Sequence, residues 1–171
     1  MKINFRLFAI IAMITLLPST FLLSQDTKLL IISDSLPLIH YTDQFDKEAP
    51  ILPDTEKILF ISDMDASKIT HSVFEKEGNV YLEQNKTALI SDIHRMPSLI
   101  SRFVALPKMR DYPYTIRLIR EAKLGDPFPR IKGQITCIEL KSDKIVKIEY
   151  AQNEQSLRNF IEASSALKNK K

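Results

Sequence analysis

An α/β fold, with a mixed sheet flanked by helices and an N-terminal extension ahead of it, is what this sequence predicts, and three observations carry that prediction. Two short, continuous apolar runs, KILFISD (57–63) and TALISDI (87–93), have the character of strands buried on both faces. Each is followed by a stretch of helical periodicity, long enough to return the chain for a parallel neighbour by a right-handed crossover. Two alternating runs joined by KSD, and then an amphipathic stretch, close the sequence as a hairpin and a last helix.

Residues 1–24, MKINFRLFAIIAMITLLPSTFLLS, place Lys2 and Arg6 before an apolar run and break it at Pro18, Ser19 and Thr20. That is the layout of a secretory signal, with cleavage after Ser24. Leu22 is large for a processing site and the apolar character resumes at 21–23, so a retained N-terminal anchor is the alternative. The two readings imply a periplasmic or exported protein, or one held at the inner membrane; membrane contact follows only if the segment is retained.

Residues 25–55 form a lead-in, with one strand expected at 28–33 and an extended wrapping segment around Pro50 and Pro53. The domain proper spans 56–167. After the strand at 57–63, Asp65 is placed to cap a helix whose apolar side is Ile69, Val73 and Phe74, with Gly78 as its stop. After the strand at 87–93, a helix over 96–107 begins with Pro97 in its first turn, packs through Leu99, Ile100, Phe103 and Val104, and ends at Pro107. A strand at 114–119 and the turn GDPFP precede the hairpin of 134–140 and 144–150, whose cleaner alternation predicts one less buried face. Asn153 caps the final helix, with Leu157, Phe160, Ile161 and Leu167 as its stripe, and residues 168–171 are a solvated basic tail. Helices on both faces of the sheet fit this order.

Composition narrows the function. The 171 residues carry a net charge of +3, and without Lys2 and Arg6 the cations number 22 against 21 acids, too even a balance for a nucleic-acid partner. Only three glycines are present, at 78, 125 and 133, so no glycine-rich dinucleotide loop exists and no cofactor is expected. Cys137 is the single cysteine; it lies in the strand-like ITCIEL and is expected to be packed and without a role in electron transfer.

The closing unit ITCIELKSDKIVKIEYAQNEQSLRNFIEA, together with the element order before it, resembles the thioredoxin-like fold over roughly 55–165. The phrases ALISDIHRMPSLISRF, ALPKMRDYPYTIRLI and FPRIKGQITCIEL resemble a group of uncharacterised exported bacterial proteins that lack the CxxC pair. In thioredoxin the first strand leads into CxxC, and a cis proline faces it. Here DMDASKIT stands at that place, so the resemblance implies a fold without thiol-disulfide exchange, and Pro129 is the residue most similar in position to the cis proline. It also implies a non-redox binding or assembly protein of the bacterial envelope, whose partner is an envelope protein or a small anionic ligand.

Two candidate sites follow. Arg95, Arg110, Tyr112 and Tyr114 lie in a segment that joins a strand end to a proline-punctuated loop, and guanidinium groups beside aromatic rings suit an anionic ligand or a partner surface. Alternatively, ILFISDMDAS resembles the opening of haloacid-dehalogenase-type phosphatases. That resemblance implies a metal-assisted phosphoester hydrolase with Asp63 as nucleophile, Asp65 moving the proton, Ser91 contacting phosphate and Mg²⁺ as cofactor. The four residues Asp63, Asp65, Asp92 and His94 would be its metal set if the strand ends converge. Ser67 stands where that family has Thr or Val, and neither Lys123 nor Asp126 sits in its later motifs.

Overall fold

The computed structural model describes residues 28–168, with side chains through 163. At its centre lies β1 (Lys57–Ile61), every residue of which is buried. Even Lys57 is enclosed, and its ammonium donates to the Ile161 carbonyl at 2.6 Å. Such a strand needs a neighbour on each side, and it has them: β2 (Thr87–Asp92) runs parallel on one side and β4 (Ile135–Lys141) antiparallel on the other. The short β3 (Arg117–Ile119) adds in parallel beyond β2, and β5 (Lys144–Ala151) pairs antiparallel beyond β4. The mixed five-stranded sheet has the order β3-β2-β1-β4-β5.

The hairpin turns on Ser142 and Asp143, whose φ values of 49° and 61° are those of a tight turn matched to strand twist. The half-buried face expected of both hairpin strands belongs to β5 alone, because β4 lies inside the sheet and is buried on both sides through Ile138.

Helix α1 (Met64–Gln84) follows β1, and Asp63, not Asp65, is its cap: Asp63 Oδ1 accepts from the Asp65 and Ala66 amides, both at 3.0 Å. Gly78 breaks the helix with φ 64° and ψ −163° but does not end the helical stretch, which resumes to Gln84. At the break Asn79 N–H donates to Pro113 O, and its side-chain amide pairs with Thr115. In α4 (Glu154–Lys168), Asn153 Oδ1 accepts from the Ser156 amide as expected of a cap, and Leu157, Phe160 and Ile161 are buried. The Leu167 side chain, residues 169–171 of the tail, and the segment 1–24 lie outside the described residues.

The run 98–110 departs most from expectation. It starts after Pro97 as α2 (Ser98–Ile100), widens into a π-turn (Ser101–Ala105) and finishes as α3 (Leu106–Arg110), passing through Pro107. Leu106 N–H reaches back five residues to Ser101 O, a wider turn that accommodates a proline next along the chain. The extra residue also rotates the face presented to the core. Leu106 and Met109 are buried, whereas Leu99, Ile100, Phe103 and Val104 are 69%, 44%, 65% and 57% exposed.

The two sheet faces are covered differently. Leu59, Ile61, Leu89 and Cys137 face a core that includes Val73 and Phe74 of α1, Met109 of α3 and Phe160 of α4. The buried residues of α1, α3 and α4 share this face, and for α1 and the run 98–110 the reason is that both crossovers advance the same way across the sheet. Ile58, Phe60, Ile90 and Ile138 on the other face pack against Phe128 of the β3-to-β4 connection and against Leu30 and Tyr41 of the lead-in, where a helix was expected. The strand expected at 28–33 is absent. That stretch lies along the sheet as irregular chain, with Ser33 N–H on Ile145 O and an isolated bridge from Ser35 to Lys144. Further on, Gln44 stands in for a missing strand, its side-chain amide donating to Tyr114 O and accepting from Ile116 N–H. Among the described residues no helix is long and apolar enough to cross a membrane.

Candidate functional site

Because β1 and β2 are parallel, their carboxyl ends open at the same edge of the sheet, and α1 departs there. The run 98–110 passes over this edge and leaves a cleft of about 420 Å³ between itself and the first turns of α1. Met64, Met96, Ile100, Val104 and Met109 give it apolar walls, and Lys68, Arg95 and Lys108 give it cations.

Asp63 lines the cleft, but its carboxylate is committed. Oδ1 serves the helix cap, and Oδ2 accepts from the Gly133 amide at 2.8 Å. Asp65 points to solvent and pairs with Lys68 at 3.0 Å. Ser91 is buried within β2. A nucleophile and a proton-transfer carboxylate are thus not brought together, and among the described residues no three His, Cys, Asp or Glu side chains are placed to hold a metal ion. The set Asp63, Asp65, Asp92 and His94 does not converge, and no step through Mg²⁺ follows from this geometry.

Asp92 and His94 do meet. His94 Nδ1 lies 2.5 Å from Asp92 Oδ1, and since an ionised carboxylate only accepts, that ring nitrogen carries the shared proton. Arg130 Nη1 donates to Asp92 Oδ2 at 3.2 Å, its Nη2 bonds the Gly125 carbonyl, and its guanidinium lies 5.3 Å over the Phe60 ring. The Asp92 side chain is fully buried, so the Arg130 guanidinium and the hydrogen bond to His94 are what make its charge tolerable. Gly125 passes so close that a Cβ there would collide with the carboxylate, 2.8 Å from its Cγ. Sequence reasoning found Asp92 and His94 but missed Arg130 and Gly125. No local pattern links residues 38 and 33 positions away, although a lone glycine in a loop was a signal of close approach.

The four residues expected to bind a partner fall into two groups. Arg95 lies at the cleft, with Nη2 on Asp126 Oδ1 at 2.9 Å, and Tyr112 lines it, stacked on the His71 ring at 4.1 Å between centroids. Burial raises the Tyr112 hydroxyl above its ordinary range, helped by Glu75 and Asp111. Arg110 instead ties down the lead-in, donating to Gln44 O at 2.9 Å and pairing with Asp46. Tyr114 is 3% exposed, its hydroxyl 3.1 Å from His71 Nδ1, so it supports the stack and offers no contact surface.

Cys137 sits in the middle of β4 under the helices, remote in sequence from the start of α1, and burial pushes its thiol up to about 12. Pro129 has a trans peptide bond, as do all the described residues. The residue that faces the start of α1 is Gly133, through the amide already noted on Asp63.

A central mixed sheet with a β-α-β entry, a closing β-β-α unit and an opening at the first helix defines the class of architecture. No family model and no curated protein matches the sequence. Among solved structures, a candidate protein disulfide isomerase from Bacteroides thetaiotaomicron matches with a TM-score of 0.51 at 14% identity, over 80% of this chain and 89% of that one. The peroxidoxin BcpB from Mycobacterium tuberculosis matches with a TM-score of 0.52 at 9% identity, over 80% and 97%. An uncharacterized conserved protein from Geobacillus kaustophilus matches with a TM-score of 0.51 at 12% identity, over 79% and 84%. The chain has the thioredoxin-like fold, with one cysteine and no CxxC pair in its 171 residues.

Proposed function

We propose that this chain is an exported, non-redox binding or assembly protein of the bacterial envelope, and that it binds in the cleft at the start of α1. One observation carries the reading. Where the thioredoxin-like fold would present a pair of thiols, this chain presents Asp63, Met64, Asp65 and Ala66, and beside them an apolar cleft with three cations. A pocket of this size with mostly apolar walls and a few polar groups is the usual form of a small-molecule site. The two solved neighbours named for redox chemistry lend the fold only, and the sole thiol here is enclosed in the sheet. Export rests on the signal-like layout of residues 1–24.

The test is to purify the protein from the periplasmic fraction of its own cell and weigh it by native mass spectrometry beside Val104→Trp, which fills the cleft from an exposed position. A bound species held by the wild type and missing from the variant supports the reading. A bare chain in both, the same adduct in both, or recovery only from the cytoplasm overturns it.

A further inference from the structure

We infer that the cleft takes an anionic amphiphile, a molecule with one carboxylate- or phosphate-type head and an unbranched apolar tail; this inference rests on the binding reading above and names its ligand class. The charge of the site points one way. Only two carboxylates line the cleft, and each has both oxygens bonded to donors: Asp63 to three backbone amides, Asp92 to His94 and Arg130. Neither is left to attract a cation. Of the three lining cations, Lys68 and Arg95 find their acids, Asp65 and Asp126, outside the cleft lining, while Lys108 has no acidic partner among the described residues. Residues 93–110, which supply one whole wall, contain no Asp or Glu. An anion entering here meets the Lys108 ammonium, which no described acid compensates, at the rim of an apolar cleft, and a charge-assisted hydrogen bond to it is stronger than one between neutral groups.

The shape of the apolar surface argues for a tail. Ile100 and Val104 line the cleft and at the same time belong to the exposed stripe with Leu99 and Phe103, so the apolar wall continues out of the cleft along this run as far as Phe103, where the Arg102 guanidinium lies 5.6 Å over the ring. A compact anion such as phosphate makes no use of that continuity. A chain of methylenes covers it, from Met96 and Met109 inside to Phe103 outside, and the unbranched thioethers adapt to a flexible guest.

The closing experiment titrates the full chain calorimetrically with dodecanoate, with 1-dodecanol and with acetate, each below its aggregation limit. Dodecanoate is expected to bind, dodecanol to bind about tenfold more weakly for want of a charge-assisted bond, and acetate to show no heat. Lys108→Glu, a change at an exposed side chain, should weaken dodecanoate by tenfold or more and leave dodecanol unchanged; Val104→Trp should remove both. Equal affinity for dodecanoate and dodecanol, or no effect of Lys108→Glu, overturns the assignment of the head. Unchanged binding by Val104→Trp places the ligand outside the cleft and overturns the site. If dodecanoate fails while the envelope-purified protein still carries an adduct that Val104→Trp loses, the amphiphile is overturned and the binding reading stands. Thermal melts of both variants accompany every titration, so loss of fold is read separately.

Discussion

Gly125 lies against a fully buried carboxylate, and of the three described glycines it is the one where an added Cβ meets the tightest contact. Gly125→Ala must move Asp92 away from His94 and Arg130, and breaking a buried ion cluster of this kind costs about 3 kcal/mol. Gly133→Ala meets open space and pays only for its positive φ of 77°, about 1 kcal/mol. Urea denaturation of the two variants should therefore separate them by about 2 kcal/mol; equal losses would show that Asp92 is not held as described. The Cys137 thiol, pushed up to about 12 by burial, should stay unreactive toward a disulfide reagent at pH 8 until the protein is unfolded. Cys137→Ser should cost about 1–3 kcal/mol by placing a hydroxyl in an apolar layer, with no change in any binding. At this scale the sequence told residue types more easily than residue roles. Asp63 and Asp65 are equally good caps on paper, and only the start of α1 at Met64 decides for Asp63. Asp92 and His94 were visible as a pair because a single residue separates them, whereas Arg130 needed the fold to bring it back.

Within single elements, periodicity served well where the helix was regular and failed where it was not. Val73 and Phe74 of α1 and Leu157, Phe160 and Ile161 of α4 are buried as their spacing predicts. The run 98–110 has equally good spacing at Leu99, Ile100, Phe103 and Val104, yet that stripe faces outward. A 3.6-residue period assumes one kind of turn, and the π-turn at Ser101–Ala105 inserts an extra residue that swings Leu106 and Met109 inward instead. Pro107, read as a terminator, is carried inside the run by the same distortion. Phe103→Lys should consequently change stability by less than about 0.5 kcal/mol, while Met109→Ala should cost about 2–4 kcal/mol. Thermal melts decide between the two faces: a large loss from Phe103→Lys would restore the outward stripe to the core.

At the scale of the whole molecule, strand order and the mixed sheet were legible from the order of apolar runs, since right-handed crossovers leave few ways to arrange them. The cover of the second face was not, because residues 28–55 have no period to read and their long-range hydrogen bonds reach residues about 65 to 112 positions later. Alkali tests the assembled molecule. Burial raises the hydroxyls of Tyr41 and Tyr114 above their ordinary 10.0, Tyr81 is pushed up to about 12 by burial and by Glu162, and Cys137 is pushed up to about 12 from 9.0. The unfolded chain thus releases these protons first, so the folded state binds more protons above pH 9 and unfolding becomes easier as pH rises. Stability should be level below pH 9 and fall steadily from there toward 12; a midpoint in urea that stays constant through that range would contradict the burial of these groups. The lead-in also sets an order in time. Leu30 bonds Pro127, Thr42 bonds Leu118 and Ser33 bonds Ile145, so the backbone partners of the earliest described residues are complete only when the chain has been made into β5. A segment that is synthesised first and seated last leaves one side of the sheet greasy and open in the interval, and non-local closure of this kind is slow. Pulse-labelled hydrogen exchange during refolding should find β1 and β2 protected before the amides of Leu30, Ser33 and Leu118, and any chaperone that meets this chain on its way would find its grip on the face those residues later cover.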